Sequence, residues 1–255
     1  MKIIYLLLIY INILASSITL QYEGELSFFG KVGEATLQYT NDGKNYHIKV
    51  SGNGTGIVGE LTGNKQYIIE SIGIVKENKL IPMQYIMRET SNDENKTKTY
   101  IFDYDNNKTV VTQYKKENKK DFKFDVFKGK SQRTAKLVEE NSTKELEKVY
   151  PDDMVSVFFN KRNNLLYMKQ GETKLIHALG SEDTQDGVVI RLVEKKDDKF
   201  IFSVRVEKDY LEGGAEDVTF VLDKNNILFE TNVDGILFFG SAKVQRKSID
   251  TKKAE

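Results

Sequence analysis

Short stretches in which apolar and polar residues alternate run along most of the chain. Between residues 33 and 40, Ala35, Leu37 and Tyr39 occupy every second position, and the residues between them are polar. The same alternation returns in residues 45–51 and in many later stretches. Because successive side chains of a strand point to opposite faces of a sheet, this pattern predicts strands with one buried face.

Polar turn sequences separate these stretches at regular intervals. Asp42-Gly43 can adopt the positive φ angles of a tight hairpin turn. Further turns of this kind are predicted at 77–79, 105–107, 195–198 and 224–226. Short strands joined in this way predict an all-β fold: an antiparallel curved sheet or barrel-like domain of about a dozen strands.

A different pattern, near residues 151–160, predicts one short helix. Pro151 opens the segment, and the carboxylate of Asp153 is expected to cap the backbone N–H of Ser156. The helix has two candidate roles: a plug that fills an open end of the barrel, or a lid over a ligand cavity. The plug is favoured, because an apolar helix stripe is usually part of a core.

The apolar residues of this helix are expected to share one face. Met154 and Phe158 are four residues apart, as are Val155 and Phe159, and this spacing brings side chains together on a helix. The candidate plug or lid residues are Asp153, Met154, Ser156, Phe158 and Phe159.

The first 17 residues have the pattern of a secretory signal peptide. Lys2 is followed by an apolar stretch from Ile3 to Leu14, interrupted only by Asn12, and then by Ala15-Ser16-Ser17. Cleavage is expected after Ser17. The alternative is an uncleaved anchor, but Ile3–Leu14 is too short to cross a hydrocarbon core of about 30 Å. No later stretch has about 18 consecutive apolar residues, so the mature protein is expected to have no transmembrane span.

The rest of the chain is interpreted as one domain at 18–248, followed by a disordered tail at 249–255. Within it, residues 129–148 are rich in Lys and Glu and do not alternate. They are expected to form a polar surface insertion, either a long loop or a frayed helix. Phe28-Phe29-Gly30 and Phe238-Phe239-Gly240 lie near the two ends of the domain. We therefore expect the first and last strands to be neighbours and to close the sheet.

Composition excludes several kinds of site. Among 255 residues there are no Cys, no Trp and two His, which excludes disulfides and thiol nucleophiles and makes a His-based metal centre unexpected. The 38 basic residues balance 38 acidic ones, which argues against nucleic-acid binding. The serine-hydrolase motif G-x-S-x-G is absent. We therefore expect no catalytic residues, no cofactor and no metal, and a monomer.

Four Asn-x-Ser/Thr sequons occur, at Asn53, Asn95, Asn107 and Asn141. In the last three, an acidic residue lies two positions before the Asn, as in the extended acceptor sequence of the bacterial periplasmic oligosaccharyltransferase. All three fall in predicted turns or in the 129–148 segment. Asn95, Asn107 and Asn141 are therefore candidate N-glycosylation sites, although loops rich in Asn and acids also produce such strings by chance.

Several short motifs together resemble a known family. They are the run Phe29–Leu37, Leu80-Ile81-Pro82, the D-x-x-S-x-hydrophobic-aromatic segment Asp153–Phe159 with Arg162 after it, and an ending from Val221 to Ala242. This set resembles bacterial exported proteins of the domain-of-unknown-function family 3108. The resemblance departs at residues 129–148. It implies an exported, barrel-like β domain, periplasmic in location, and no established reaction.

The sequence leaves two candidate functions of different classes. The first is a non-catalytic binding or carrier module of the cell envelope, with a lipid or another hydrophobic ligand inside the curved sheet. The second is a structural or interaction protein whose barrel is packed solid and whose loops contact an envelope protein. An enzyme ranks third. An outer-membrane barrel is disfavoured, because the outward positions of the strands carry Glu, Lys, Gln and Arg.

Overall fold

The computed structural model of the protein describes residues 16–125, 130–179, 187–207, 215–236 and 240–253. Within these ranges the structure consists mainly of strands. They are β1 (Ser16–Leu26), β2 (Gly30–Asn41), β3 (Asn45–Gly54), β4 (Gln66–Lys76), β5 (Lys79–Thr90), β6 (Glu94–Asp103), β7 (Lys108–Asp125), β8 (Lys130–Leu146), β9 (Asp152–Asp153), β10 (Thr173–Ile176), β11 (Ala178–Leu179), β12 (Val188–Lys196), β13 (Lys199–Glu207), β14 (Ala215–Asp223), β15 (Leu228–Ile236) and β16 (Gly240–Lys253).

Two short α-helices accompany the strands. Helix α1 spans Gly56–Leu61 and was not predicted, and helix α2 spans Ser156–Phe159. Two single 3-10 turns follow α2, at Lys161–Asn163 and Leu165–Tyr167. Among the described residues, no helix is both long and apolar enough to cross a membrane.

Fourteen strands form one antiparallel sheet, which confirms the predicted fold class. Their order is β10-β12-β13-β14-β15-β16-β1-β2-β3-β4-β5-β6-β7-β8. Most neighbours in this order are joined by short hairpins. The turns predicted at 42–43, 77–79, 105–107, 195–198 and 224–226 all fall at connections between paired strands, which lie at 42–44, 77–78, 104–107, 197–198 and 224–227. Asn and Asp at these turns take up positive φ, as at Asn78 and Asn107.

The first and last strands are neighbours, as expected. Ser16 lies opposite Lys253 and Leu26 opposite Ala242. They do not close the sheet, however, because they lie in its middle and its edges are β8 and β10. The opening therefore falls where the chain leaves the sheet after β8.

The prediction for the end of the chain was wrong for residues 249–253. Instead of a disordered tail, they continue β16 and pair with the beginning of β1. The physical reason is that backbone hydrogen bonds between paired strands do not depend on the side chains. They can continue through a polar sequence once a partner strand is present. Residues 254 and 255 lie outside the described residues, as does most of the predicted signal peptide (1–15).

The prediction of a loop or frayed helix at 129–148 was also wrong. Residues 130–146 form β8, which pairs with β7 along its whole length. Ion pairs across the two strands support this, with 2.7 Å from Lys116 Nζ to Glu139 Oε1 and 3.0 Å from Lys108 Nζ to Glu145 Oε1. Most described side chains of β8 are exposed. A strand whose described side chains are mostly exposed has little hydrophobic alternation by which the sequence could indicate it.

The inward side chains of the sheet form two hydrophobic cores. The first core is built mainly from β1–β7 and includes Leu20, Ile48, Tyr85 and Phe102. The second core lies on β10–β14 and includes Ile190, Leu192, Phe202, Phe220 and Leu222. The sheet therefore has one buried side that is shared between two groups of strands.

We predict that Gly73 is required for the close approach of β4 and β5. A Cβ atom at Gly73 would lie 2.7 Å from the ring of Tyr46 and would overlap the carbonyl oxygen of Ile81. Gly73→Ala should lower the free energy of unfolding in urea by about 3 kcal/mol, because overpacking forces the backbone to move. Gly24→Ala is the matched control, since its nearest atom, the Gly33 carbonyl oxygen, would lie 3.8 Å away. Equal effects of the two substitutions would contradict this account.

Candidate functional site

After β8 the chain turns inward and lies against the buried side of the sheet. We call residues 150–179 the plug. It contains β9, α2, the two 3-10 turns and β11, together with β10, which pairs with β12 as an edge strand of the sheet. β9 and β11 pair with each other in parallel, with Asp152 opposite Ala178 and Asp153 opposite Leu179. Plug residues belong to both hydrophobic cores: Tyr150, Val155 and Leu179 to the first, and Val157, Leu165, Met168 and Ile176 to the second, among others.

The predicted helix is present but is only one turn long. The expected hydrogen bond is present, since the Ser156 N–H donates to Oδ1 of Asp153 over 2.8 Å, but the N-cap position of the helix is Val155. The expectation of one apolar face was wrong. Phe159 stacks on Tyr39 of the first core with a centroid distance of 5.0 Å, whereas Phe158 meets Phe220 of the second core edge-on at 5.5 Å.

Met154 was wrongly placed on the apolar face. Its side chain is 43% exposed, because β9 ends at Asp153 and α2 begins only at Ser156. Helical spacing therefore does not hold at residue 154. The helix packs into both cores at once, which is the geometry of a plug rather than of a movable lid.

Asp153 is fully buried and is held by a set of hydrogen bonds. Oδ1 accepts the backbone N–H groups of Val155 (2.9 Å) and Ser156 (2.8 Å). Oδ2 accepts the hydroxyl of Ser71 on β4 over 2.5 Å. The oxygens of Ser71 and Tyr46 are 3.0 Å apart, so the network continues to β3. Asp153 thus connects the plug to two strands of the sheet.

Asp152, 1% exposed, is held from within the plug itself. The amide Nδ2 of Asn160 donates to Oδ1 over 2.6 Å, and Nδ2 of Asn163 donates to Oδ2 over 3.1 Å. The Nε of Arg162 lies 3.9 Å from the same Oδ2. These three residues follow α2, so the carboxylate fixes the path of the chain around the two 3-10 turns.

Asn160 and Arg162 also tie the plug to the backbone of β5. Asn160 Nδ2 donates to the Leu80 carbonyl over 2.8 Å and its Oδ1 accepts the Leu80 N–H over 3.3 Å. A guanidinium nitrogen of Arg162 donates to the same carbonyl over 2.5 Å. The result is a polar anchor of the plug, made of Ser71, Asp152, Asp153, Ser156, Asn160, Arg162 and Asn163.

Burial changes the acid–base behaviour of the anchor. Desolvation raises the pKa of Asp152 to about 6, against the opposing effect of Arg162 and of the two Asn amides. Desolvation also raises the pKa of Asp153, although several hydrogen bonds to the carboxylate favour its ionised form. Tyr85 projects into the same region, and its buried hydroxyl has no hydrogen-bond partner among the described residues.

Perturbed carboxyl groups are often catalytic, but the geometry here favours a structural role. A general acid or base must reach a proton of the substrate, and Asp152 and Asp153 are at most 1% exposed. Their oxygens are occupied by groups of the protein. Among the described residues, no three His, Asp or Glu side chains are grouped as a metal site would require.

Two clefts are found elsewhere on the molecule. One, of about 410 Å³, lies at the end of the sheet formed by the β2–β3 turn. Its surface is mainly apolar, although Asn41, Asn45, His47 and Lys252 are among the residues that line it. The other, of about 280 Å³, lies beside it and shares Ser17, Thr40 and His47. Neither is lined by the plug. His47 has an ordinary partner, with Nε2 3.1 Å from Glu70 Oε1.

The three candidate glycosylation sites are exposed, but they do not share the predicted surroundings. Asn107 lies in the β6–β7 turn with φ of 50°. Asn95 lies in β6 and Asn141 in β8, so these two are in strands rather than in a turn and a loop. Asn107 is therefore the site whose local structure agrees with the prediction.

The comparisons with known proteins assign a family. The family model described as "Protein of unknown function (DUF3108)" matches residues 17–245, which confirms the resemblance seen in the sequence. No curated protein matches the chain. A solved structure that matches is the β-barrel-like protein of domain of unknown function DUF1849 from Brucella abortus. It is 11% identical, with 94% of this chain and 98% of that chain covered and a TM-score of 0.38.

A pair of Tyr→Phe substitutions tests the hydrogen bonding of the anchor. Tyr46→Phe removes the 3.0 Å contact with Ser71 and should lower the free energy of unfolding by about 1 kcal/mol. Tyr85→Phe removes a buried hydroxyl that has no described partner, so stability should stay the same or rise. Both rings are buried, so each variant controls for the other in urea unfolding. A Tyr85→Phe cost as large as that of Tyr46→Phe would contradict the assignment.

The raised pKa of Asp152 predicts a pH dependence of stability. The folded state binds a proton up to pH about 6, whereas an unfolded Asp loses it near pH 4, so stability from this group falls as pH rises through that window. The free energy of unfolding should fall by about 1 kcal/mol from pH 5 to pH 7 because of Asp152. Asp152→Asn should remove this component, and exposed Asp105→Asn should not. An unchanged pH dependence in Asp152→Asn would refute the prediction.

Proposed function

Because the chain belongs to the DUF3108 family, whose function is unknown, we propose its role from geometry: an exported, non-catalytic cell-envelope protein that acts through its outer surface. In this proposal the sheet is a rigid scaffold with its interior occupied by its own chain. The loops and the outer faces of the strands make the contacts with other molecules.

The observation that carries the proposal is the position of the plug. A carrier for a lipid or another hydrophobic ligand needs an open apolar interior. Here Phe158 and Phe159 fill space between the two cores, and the polar anchor fixes them in place. A ligand inside the sheet would have to displace a segment that is held by buried hydrogen bonds.

Export is supported by the sequence rather than by the fold. Residues 1–17 carry the signal-peptide pattern, and a chain with no Cys needs no disulfide in an oxidising compartment. The absence of recognisable catalytic motifs supports a non-enzymatic role. A binding or carrier module remains the competing proposal, and the two differ in what should occupy the interior.

Mass measurement on protein purified from its source without detergent tests this proposal. Under denaturing conditions we expect the mass of the chain from Ile18 onward, and any glycan on Asn95, Asn107 or Asn141 would add to it. Under native conditions we expect the same mass, because nothing is bound inside.

A native mass that exceeds the denatured mass by a constant amount would contradict the filled interior. Solvent extraction and lipid mass spectrometry would then identify the ligand. A denatured mass that includes residues 1–17 would contradict cleavage after Ser17, without affecting the conclusion about the interior.

A further inference from the structure

One end of the sheet gathers several hairpin connections. Adjacent strands are antiparallel, so the β1–β2 turn, the β5–β6 turn, the β7–β8 hairpin and the end of β15 lie on the same side. A backbone bond confirms this placement, since the Asn118 N–H of β7 donates to the Asp93 carbonyl of the β5–β6 turn over 2.8 Å. We call this side the hairpin end.

The β1–β2 turn presents two exposed aromatic rings at the hairpin end. Phe28 is 74% exposed and Phe29 is 47% exposed. The turn is fixed to the adjacent strand β16, with the Ser27 N–H donating to the Ser241 carbonyl over 3.0 Å. The Phe28 ring lies against Gly240, where an added Cβ would meet it at 3.1 Å. These rings are therefore held outward by a rigid support.

The β7–β8 hairpin extends past its neighbour β6 at the same end. Strand β6 pairs with β7 only as far as Glu117, whereas β7 and β8 continue together to Asp125 and Lys130. The eight further pairs project by about 26 Å, at about 3.3 Å per residue.

The projecting strands are basic. Residues 118–125 and 130–137 contain six Lys or Arg and two Asp, a net charge of +4. Lys119 lies directly opposite Lys136 in the ladder. Like charges in opposite positions repel each other. Lys119 is also paired with a glutamate, since its Nζ lies 3.2 Å from Glu117 Oε1, and Lys115 and Lys116 form ion pairs with glutamates as well. The net positive charge of the whole projecting segment is therefore what an external anion would meet.

Exposed aromatic rings and a projecting basic segment at the same end of the sheet match the chemistry of an anionic membrane surface. The transfer of a Phe side chain from water into the headgroup region is favourable. Lys and Arg near an anionic surface each add a favourable electrostatic contribution. A second copy of the chain fits less well, because two basic hairpins would repel each other.

We propose that the hairpin end docks peripherally on an anionic lipid surface. Phe28 and Phe29 enter the headgroup region, and the basic hairpin lies against the lipid phosphates. This binding goes beyond the proposed function, since it names the surface that the outer part of the scaffold contacts.

Co-sedimentation with vesicles tests the docking. The protein is produced with its own N-terminal segment and purified in the form the cell yields, so all variants share one N-terminus. Vesicles contain either phosphatidylcholine with phosphatidylglycerol, or phosphatidylcholine alone. We expect binding to the anionic vesicles, weakened by salt, and little binding to the neutral ones.

Two variants remove the two components of the surface. Phe28→Ser with Phe29→Ser removes the rings, and Lys119→Gln, Lys123→Gln and Lys136→Gln together remove three charges. Each set should weaken binding to anionic vesicles by about tenfold or more. The matched control carries Lys44→Gln, Lys79→Gln and Lys196→Gln at the opposite end, with the same change in charge, and should bind like the wild type. Circular dichroism checks that every variant is folded.

The docking proposal is overturned if the wild type does not bind anionic vesicles, or if the opposite-end control loses as much affinity as the hairpin-end variants. Recovery of a protein partner that depends on Phe28 and Phe29, without vesicle binding, would assign this surface to protein recognition instead. These results are independent of the native mass, so the proposed function and the docking can fail separately.

Discussion

The two hydrophobic cores of the fourteen-stranded sheet are both completed by the plug, one continuous piece of the same chain. To cross the interior, however, that piece must bring its backbone polar groups away from water, where each unpaired group costs free energy. Asp152 and Asp153 meet this need, since their carboxylates accept backbone and side-chain donors within the plug and from β4. The two cores depend on this arrangement, because Phe158 and Phe159 reach them only if α2 is held between them.

Most of the sheet could be predicted from the sequence. A strand with one buried face shows an alternation of apolar and polar residues in the sequence. Turns such as Asp42-Gly43 can be predicted because these residues accept the positive φ angles of a tight hairpin. Strands that lack a buried face carry no such pattern and were not predicted. Strand β8 is exposed to water along most of its described length, and residues 249–253 are strand only because β1 lies beside them.

The site was only partly predictable for a related reason. The hydrogen bond between Asp153 and Ser156 is a local interaction within four residues, so sequence could indicate it. The partnership of Asp153 with Ser71 joins residues 82 positions apart and depends on the whole fold. The sequence did not indicate a buried role for Asn160 and Asn163, because Asn is common in the exposed turns of this chain. A useful signal existed in hindsight, since two adjacent Asp residues stand before an apolar run that must be buried.

The position of β1 between β2 and β16 has a consequence for the order of events in folding. Its partner β16 is the last strand of the chain, and the hydroxyl of Tyr22 reaches the Leu228 carbonyl 206 residues away. Such distant contacts form late and slowly. Until β16 has formed, β1 lacks one of its two neighbours, and the sheet remains in two unjoined parts, β1–β8 on one side and β10 with β12–β15 on the other. The joining of these two parts into one sheet therefore depends on β16.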